Sequence, residues 1–465
     1  MPTTVMDPME WAVTEFSDVQ LGDVRRTKRL VRVASALAEG AHGTLPETFP
    51  QWSDLKAAYR LFGTDEVTYE AIVGPHWQHT RSACRQPGEY LLIEDTTQMD
   101  YSWHAAAEEF GVIGDGGGRG FFVHSTMALG VQRWNAEQEP ETVVVGLFGQ
   151  YCWHRQPSAA RKTEKKAARL GRARESQRWA AVFNDSDGPG PQSRWTYIAD
   201  RESDIYEVFG RCQEHGVDFI IRANQPRALD KEDRSVFEAV AQRPVLGQFS
   251  VDLRARPSHA ARKAVMELRS MTVTLRAPWR PGGANKPLEV SVVEAREVDT
   301  PEGVRPIHWV LLTNWACATF QEAMRVVKAY TRRWLIEEYH KALKSGLHVE
   351  ESQLSHPVRI QALFGIMAVA GLRLLNTKLL AVTCPHKAVD PRELGPEALA
   401  ILESAGGRAA GGWTYSSVLV AIARLGGFLA RKGDGNPGWI TIWRGWQKLM
   451  LMVQGFSFAT GEKCG

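Results

Sequence analysis

Two aspartates stand at the ends of strand-like runs: Asp95 after Leu91, Leu92 and Ile93, and Asp200 after Tyr197, Ile198 and Ala199. A strand end lets a rigid sheet aim a carboxylate into a cleft. Taken singly, each is more commonly a turn or helix-capping Asp, and the pair gains meaning only with a third carboxylate. Glu337 supplies one, in a helical stretch with Tyr330, Arg333 and Lys344. These lie 3, 7 and 14 residues along from Tyr330 in the order Arg333, Glu337, Lys344. At about 100° per residue all four fall within an arc of roughly 60°. Such a stripe is a poor apolar core. It reads either as a surface face with an Arg333–Glu337 ion pair, or as a face that grips phosphate through Arg333 and Lys344 while Glu337 binds a metal. Spacing does not separate the two.

The elements that must position these residues are legible in outline. Residues 1–75 read as helical: Leu30, Val33, Ala34 and Leu37 recur at helical spacing, as do Leu55, Ala58, Tyr59 and Phe62, with a break marked by Gly43, Pro46 and Pro50. This module presents Arg25, Arg26, Lys28 and Arg29 as a DNA-binding head. From about residue 88 the texture turns to strands at Tyr90–Ile93, Phe121–Leu129, Thr142–Phe148, Trp195–Ala199 and Asp218–Ile221, with a helical stretch before the last. That describes a mixed α/β sheet flanked by helices. A β-rich insertion is expected over about 225–305, carrying Met271–Leu275 and Leu288–Val293. His308–Leu312 makes one further strand, Gln321–Ser345 one long helix, and the tail from about 356 is mostly helical.

Composition narrows the class. The chain has 465 residues, 44% hydrophobic and 23% charged, which suits several packed domains. The longest apolar run, around Ala362–Leu375, is broken by Arg373 and falls short of the roughly 18–20 residues a membrane span needs. Residues 1–20 carry acidic side chains and no basic one, so neither a signal nor a transit peptide is expected there. Six scattered cysteines without a CxxC argue against a disulfide scaffold or structural zinc and for a reducing cytoplasm. Net charge is only +3, so binding to nucleic acid must come from local patches. Residues 151–180 hold nine Lys/Arg (Arg155, Arg161, Lys162, Lys165, Lys166, Arg169, Arg172, Arg174 and Arg178) against Glu164 and Glu175. Each basic cluster reads singly as a solvated helix face. Two clusters and sixteen Trp tilt the reading toward a phosphate-binding surface with stacking aromatics.

Several segments carry a resemblance. They are Ile93–Thr97 (IEDTT), Arg119–Ser125 (RGFFVHS), Asp200–Ile205 (DRESDI) and, above all, Tyr330–Gly346 (YTRRWLIEEYHKALKSG), a Y-x2-R-x3-E-x6-K pattern. Leu21–Arg26 and Ala421–Phe428 add matches near the two ends, while about 225–300 and 378–412 match poorly. The chain resembles the DDE transposases of cut-and-paste bacterial insertion elements, specifically the IS-four branch and its Tn-five transposase. The resemblance implies an RNase-H-like catalytic domain over 76–375 containing the β-rich insertion, an N-terminal helical DNA-end-binding domain over 1–75, and a C-terminal helical dimerisation domain over 376–465. It implies that Asp95, Asp200 and Glu337 hold two Mg2+ ions, with Mn2+ able to substitute. It implies DNA phosphate contacts from Tyr330, Arg333 and Lys344, and a flipped base stacked on Trp309. His124, Arg222, His340 and Lys341 are further expected DNA contacts, and Trp334 is expected to pack beside the site. The implied reaction nicks the element's end, forms and opens a hairpin, and joins the freed end to target DNA. The implied partners are double-stranded DNA (inverted-repeat ends and target) and a second copy of the chain, with Trp413–Gly427 and Trp439–Leu451 supplying dimer contacts. No membrane is implied, and the expected location is the bacterial cytoplasm, at the nucleoid. A structure-selective nuclease and a domesticated DNA-binding protein are the competing readings. The Tyr330–Lys344 stripe and the terminal matches argue against the first, and the complete carboxylate set against the second.

Overall fold

The computed structural model describes residues 8–40, 44–155, 175–253, 261–278, 286–390, 394–406, 412–431 and 434–460. Five helices come first: α1 (Pro8–Phe16), α2 (Val24–Gly40), α3 (Leu45–Thr48), α4 (Trp52–Phe62) and α5 (Tyr69–Cys84). Their apolar stripes close on one another through Trp11, Phe16, Leu30, Leu37, Leu61 and Phe62, all buried. Thr68 caps α5 by accepting the Ala71 N–H. The expected boundary at 75/76 therefore falls inside α5, and the chain enters the next domain along a continuous helix.

The strands are β1 (Gly88–Asp100), β2 (Gly111–Ile113), β3 (Gly118–Trp134), β4 (Pro140–Trp153), β5 (Ser193–Ala199), β6 (Asp218–Arg222), β7 (Gly247–Leu253), β8 (Arg262–Leu275), β9 (Leu288–Val298) and β10 (His308–Thr313). They form one ten-stranded sheet. β3 pairs antiparallel with both β4 and β1, whereas β1, β5 and β6 run parallel. β10 then lies antiparallel to β6, and β9, β8 and β7 follow outward. The β-rich insertion is thus no separate lobe but an extension of the catalytic sheet.

Side chains alternate across a strand, and the core divides accordingly. Leu91, Ile93, Ile198, Ile220 and Leu311 belong to one buried cluster. Leu92, Tyr197, Ala199, Phe219 and Leu312 belong to the other, packed with Val208 and Phe209 of α6 (Tyr206–Glu214) and Val236 and Val240 of α7 (Val236–Ala241). The first cluster is roofed by α8 (Phe320–Thr331), α9 (Trp334–Lys341) and α10 (Pro357–Thr383). Thr319 and Glu322 start α8 with a reciprocal capping box.

The single helix expected over Gln321–Ser345 is instead three pieces. Between α8 and α9 the amides of Arg332, Arg333, Leu335 and Ile336 each bond three residues back, a tightened turn. After α9 the chain widens into a π turn over Ala342–Gly346, closed by Leu347 N–H to Ala342 C=O at 2.8 Å. No Gly or Pro marks the first irregularity, so local sequence gives no signal of it.

By length and composition α10 could cross a membrane, but 72% of its apolar window is buried inside the protein, and the core accounts for its composition. The expected boundary at 375/376 falls within it. A third buried cluster joins α11 (Pro396–Ser404), α12 (Tyr415–Leu425) and α13 (Trp439–Thr460). α12 and α13 cross at two glycines. A Cβ on Gly445 would lie 1.7 Å from the Ile422 carbonyl oxygen, and one on Gly426 1.9 Å from that of Thr441.

Candidate active site

Glu94 of β1 pairs in register with Ala199 of β5, so the next residues, Asp95 and Asp200, stand at the same level; Asp200 directly follows the last residue of β5, whereas Asp95 lies inside β1, which runs on to Asp100 in its pairing with β3 rather than ending at the aspartate as expected. By alternation both face the helix-covered side of the sheet. Asp95 Oδ1 accepts the Thr96 N–H at 2.8 Å. Asp200 Oδ1 accepts the Glu202 N–H at 2.8 Å and so caps the short turn Arg201–Ser203. Glu337 approaches from α9, and Arg333 links it to the sheet: one guanidinium nitrogen donates to Glu337 and another to Asp95 Oδ2 at 3.4 Å. The Asp95 carboxyl is pushed up to about 6, chiefly by burial. Arg333 and the Thr96 N–H oppose this, while Asp200 and Glu337 add to it. Burial works against the charge of Arg333, yet its pKa is raised, by Tyr330 and by the carboxylates of Glu337 and Asp95.

Carboxylates are the hard-oxygen donors that suit a small divalent cation, which keeps several waters and needs few protein ligands. Among the described residues no three His, Cys, Asp or Glu side chains are close enough together to hold a metal ion. Arg333 provides the positive charge between two of the carboxylates instead. Carboxylates suit a divalent ion by type and do not distinguish Mg2+ from Mn2+, but as placed here they do not form a three-donor cluster.

Tyr330 is buried at the end of α8, its ring 5.6 Å from that of Trp309 at 65°, with the Arg333 guanidinium 6.0 Å from its centroid. Trp309 lies on β10 and Arg222 on β6, and these strands are direct neighbours. Beside them lies a cavity of about 580 Å³ whose lining includes Arg201, Arg222, Phe237, Arg305, His308 and Trp309. Lys344, in the π turn, sits 3.4 Å from Glu350. Lys341 is paired with Glu338 at 2.9 Å.

Three expectations need correction. His124 is only 1% exposed: its Nδ1 lies 2.7 Å from Thr96 Oγ1, and its Nε2 3.3 Å from the buried Glu94, so it is enclosed behind the strand that carries Asp95. His340 is also enclosed, 3.3 Å from Ser125 Oγ. Burial above all, with Lys344, His124 and Arg333, lowers its pKa to about 3 and keeps the ring neutral. Neither can meet DNA in this arrangement. Trp334 is 47% exposed rather than packed, because the tightened turn before α9 rotates it outward.

In the N-terminal module Arg25 is exposed and bonds back to Asp23, Arg26 donates to the Leu21 carbonyl and pairs with Glu66 at 3.1 Å, and Arg29 lies 3.4 Å from Asp54. Lys28 is exposed, with no ion pair among the described residues. Of the 151–180 cluster, Arg161, Lys162, Lys165, Lys166, Arg169, Arg172 and Arg174 lie outside the described residues. At its flanks Arg155 stacks 4.3 Å over Phe122 and Arg178 4.1 Å over Trp153.

Sequence reasoning missed Glu94. It is fully buried and accepts from Thr126 Oγ1 at 2.6 Å, from the Ala180 N–H at 3.1 Å and from Tyr197. Burial opposes its charge, yet His124, Thr126 and Tyr197 together hold its carboxyl below the usual range. Strand parity could have found it, since neighbours on a strand face opposite sides and Asp95 faces the cleft.

Two carboxylates at one level of adjacent parallel strands, with a third on a covering helix, are compatible with phosphodiester chemistry, and comparison with known families identifies the class. A transposase DNA-binding family matches residues 8–67, a transposase DDE domain residues 191–371, and a transposase Tn5 dimerisation domain residues 411–463. The chain is a DDE transposase, a metal-dependent enzyme that cleaves DNA and transfers strands. With its DNA-binding, catalytic and dimerisation parts in that order, it belongs to the Tn5-like transposases, consistent with the IS-four branch. Its sheet, with β4, β3 and β1 antiparallel and β5 and β6 parallel, is the RNase-H-like core of that architecture. Asp200 and Glu337 fall inside the matched DDE segment, whereas Asp95 precedes it.

Proposed function

We propose that this transposase moves a bacterial insertion element by cut and paste, with Asp95, Asp200 and Glu337 as its metal-binding carboxylates. The supporting observation is that Asp95 within β1 and Asp200 just past β5 stand at one level on neighbouring parallel strands while Arg333 ties Glu337 to Asp95. A pair of divalent ions, Mg2+ in the cell, would activate the attacking oxygen and stabilise the departing one. The protein's own part is positioning. Arg333 bridges Glu337 and Asp95, and its planar fork is of the kind that can grip a DNA phosphate bidentately. Tyr330 and Lys344 flank that phosphate. Trp309, with Arg222 beside it, receives a base flipped from the element's end, a flat ring offsetting the unstacking cost of a few kcal/mol.

The same site serves end nicking, hairpin formation, hairpin opening and joining to target DNA. The DNA bound is the element's inverted-repeat ends and then the target, at the nucleoid. The domains divide near 75 and 375. Two copies pair the ends through α12 and α13, and on α13 Ile440, Leu451, Met452 and Phe456 are exposed. The test is a reaction of purified protein with Mg2+ and a labelled duplex carrying the flanking inverted repeats. Hairpinned ends followed by joining to a plasmid support this reading. Cleavage without joining would replace it with a structure-selective nuclease, and binding without cleavage with a domesticated DNA-binding protein.

A further inference from the structure

Glu338, the residue after Glu337, is turned about 100° from it around α9, so the two carboxylates face different neighbours. Glu337 meets Arg333. Glu338 is largely buried and collects three donors from three elements: Lys341 of α9 at 2.9 Å on Oε1, and both Lys378 of α10 and the indole N–H of Trp439 at 2.9 Å on Oε2. Lys378 Nζ also stands 4.1 Å from the centre of the Trp439 ring. Trp439 is buried, is the first residue of α13, and lies within the matched dimerisation domain.

α9 has eight residues, preceded by a tightened turn and followed by a π turn. With a regular helical repeat interrupted on both sides, its rotation about its own axis depends on side-chain anchors. On the core side these are Tyr339, donating to the Ala368 carbonyl at 3.0 Å, and His340 at Ser125. On the C-terminal side the anchor is Glu338.

We infer that Glu338 is a positioning residue that couples the dimerisation helix to the active site: seating Trp439 of α13 on Glu338 fixes the rotation of α9 and with it the aim of Glu337. This rests on the reading of Glu337 as the third site carboxylate. Cleavage competence then depends on the C-terminal domain being docked, and chemistry is tied to assembly through one carboxylate.

The test compares Glu338→Gln, Trp439→Phe and the double variant, measuring end-complex formation on the labelled duplex and, separately, the cleavage rate inside preformed complexes. Trp439→Phe keeps an aromatic ring on Lys378 and removes only the N–H donor, so it separates coupling from packing. The expected result is complex formation within about twofold of wild type, cleavage slowed about tenfold by Trp439→Phe and further by Glu338→Gln. The double variant should be no slower than Glu338→Gln alone, as residues acting through one contact require. Cleavage at wild-type rate in either single variant, losses that multiply in the double variant, or loss of complex formation in step with cleavage would each overturn the inference. Glu337→Gln run alongside isolates the premise: if it cleaves normally, the site assignment fails instead.

Discussion

The crossing of α12 and α13 yields a prediction with an internal control. On a free helix, Gly→Ala stabilises by roughly 1 kcal/mol, because Ala loses less backbone entropy. At Gly445 the added Cβ would stand 1.7 Å from the carbonyl oxygen of Ile422 and 2.6 Å from its carbon. Both atoms are backbone, so no rotamer relieves the clash and the helices must part by more than an ångström. That loosens the packing of Leu419, Ile422, Ile442 and Leu449, all buried at this interface. A gap of that size forfeits a large share of the dispersion attraction between facing side chains. Overpacking of this kind costs about 1–3 kcal/mol or more. Because the separation runs along both helices, the net destabilisation by Gly445→Ala should be about 2 kcal/mol. Gly455, in the same helix with nothing within 4 Å of its would-be Cβ, should gain up to about 1 kcal/mol on the same change. Hydrogen exchange of the α12 and α13 amides reads local opening directly, and a destabilisation of about 2 kcal/mol corresponds to roughly thirtyfold faster exchange. Gly445→Ala with protection equal to or above wild type, or the two substitutions behaving alike, would refute the close-crossing argument.

Glu337→Gln should abolish cleavage while leaving end binding largely intact in a mobility-shift assay, since it removes a charge without adding bulk. Arg333→Lys keeps a charge but cannot reach Asp95 and Glu337 at once with a planar fork, so cleavage should fall by about tenfold or more with binding little changed. Arg25→Ala with Arg26→Ala should weaken end binding and flatten its dependence on salt; an unchanged slope would remove these residues from the DNA contact. The carboxyl of Glu297 is held below its usual value first by a hydrogen bond from Arg262, with burial opposing. A carboxyl lowered in the folded state contributes stability in full above about 4.5, its ordinary value, and loses it as pH falls through the folded value. Glu297→Gln should therefore be less stable at pH 7 by about 2 kcal/mol and show a shallower decline on acidification in denaturant melts.

Much of the fold could be read from sequence because its elements carry strong periodicity. Leu91 to Ile93 and Tyr197 to Ala199 announced the strands that carry Asp95 and lead to Asp200, and a helix was expected from Gln321, where α8 lies. Asp200 drew notice because it follows directly on an apolar run, whereas Asp95 is separated from its run by Glu94. What stayed hidden depends on contacts between distant segments. His124 reads as an available imidazole until β1 and β3 are paired, when Thr96 comes opposite it and Glu94 beside it. The outward turn of Trp334 follows from three-residue hydrogen bonds that no Gly or Pro foreshadows. Nor did composition show that β7 to β9 continue the catalytic sheet, since edge-to-edge pairing leaves no mark on a strand's own sequence.

The π turn over Ala342–Gly346 bears on how this chain can change length. It holds one residue more than a regular α-helical turn would. Deleting Ala342 or Leu343 would therefore restore an ordinary helix, an edit the backbone tolerates. The same deletion would shorten the step from Glu337 to Lys344 from seven residues to six and so turn the lysine about the helix axis relative to Glu337. Descendants of this sequence are thus free to regularise the helix only by giving up the lysine's place on the stripe. The irregular turn and the fixed spacing of Glu337 and Lys344 are retained or lost together.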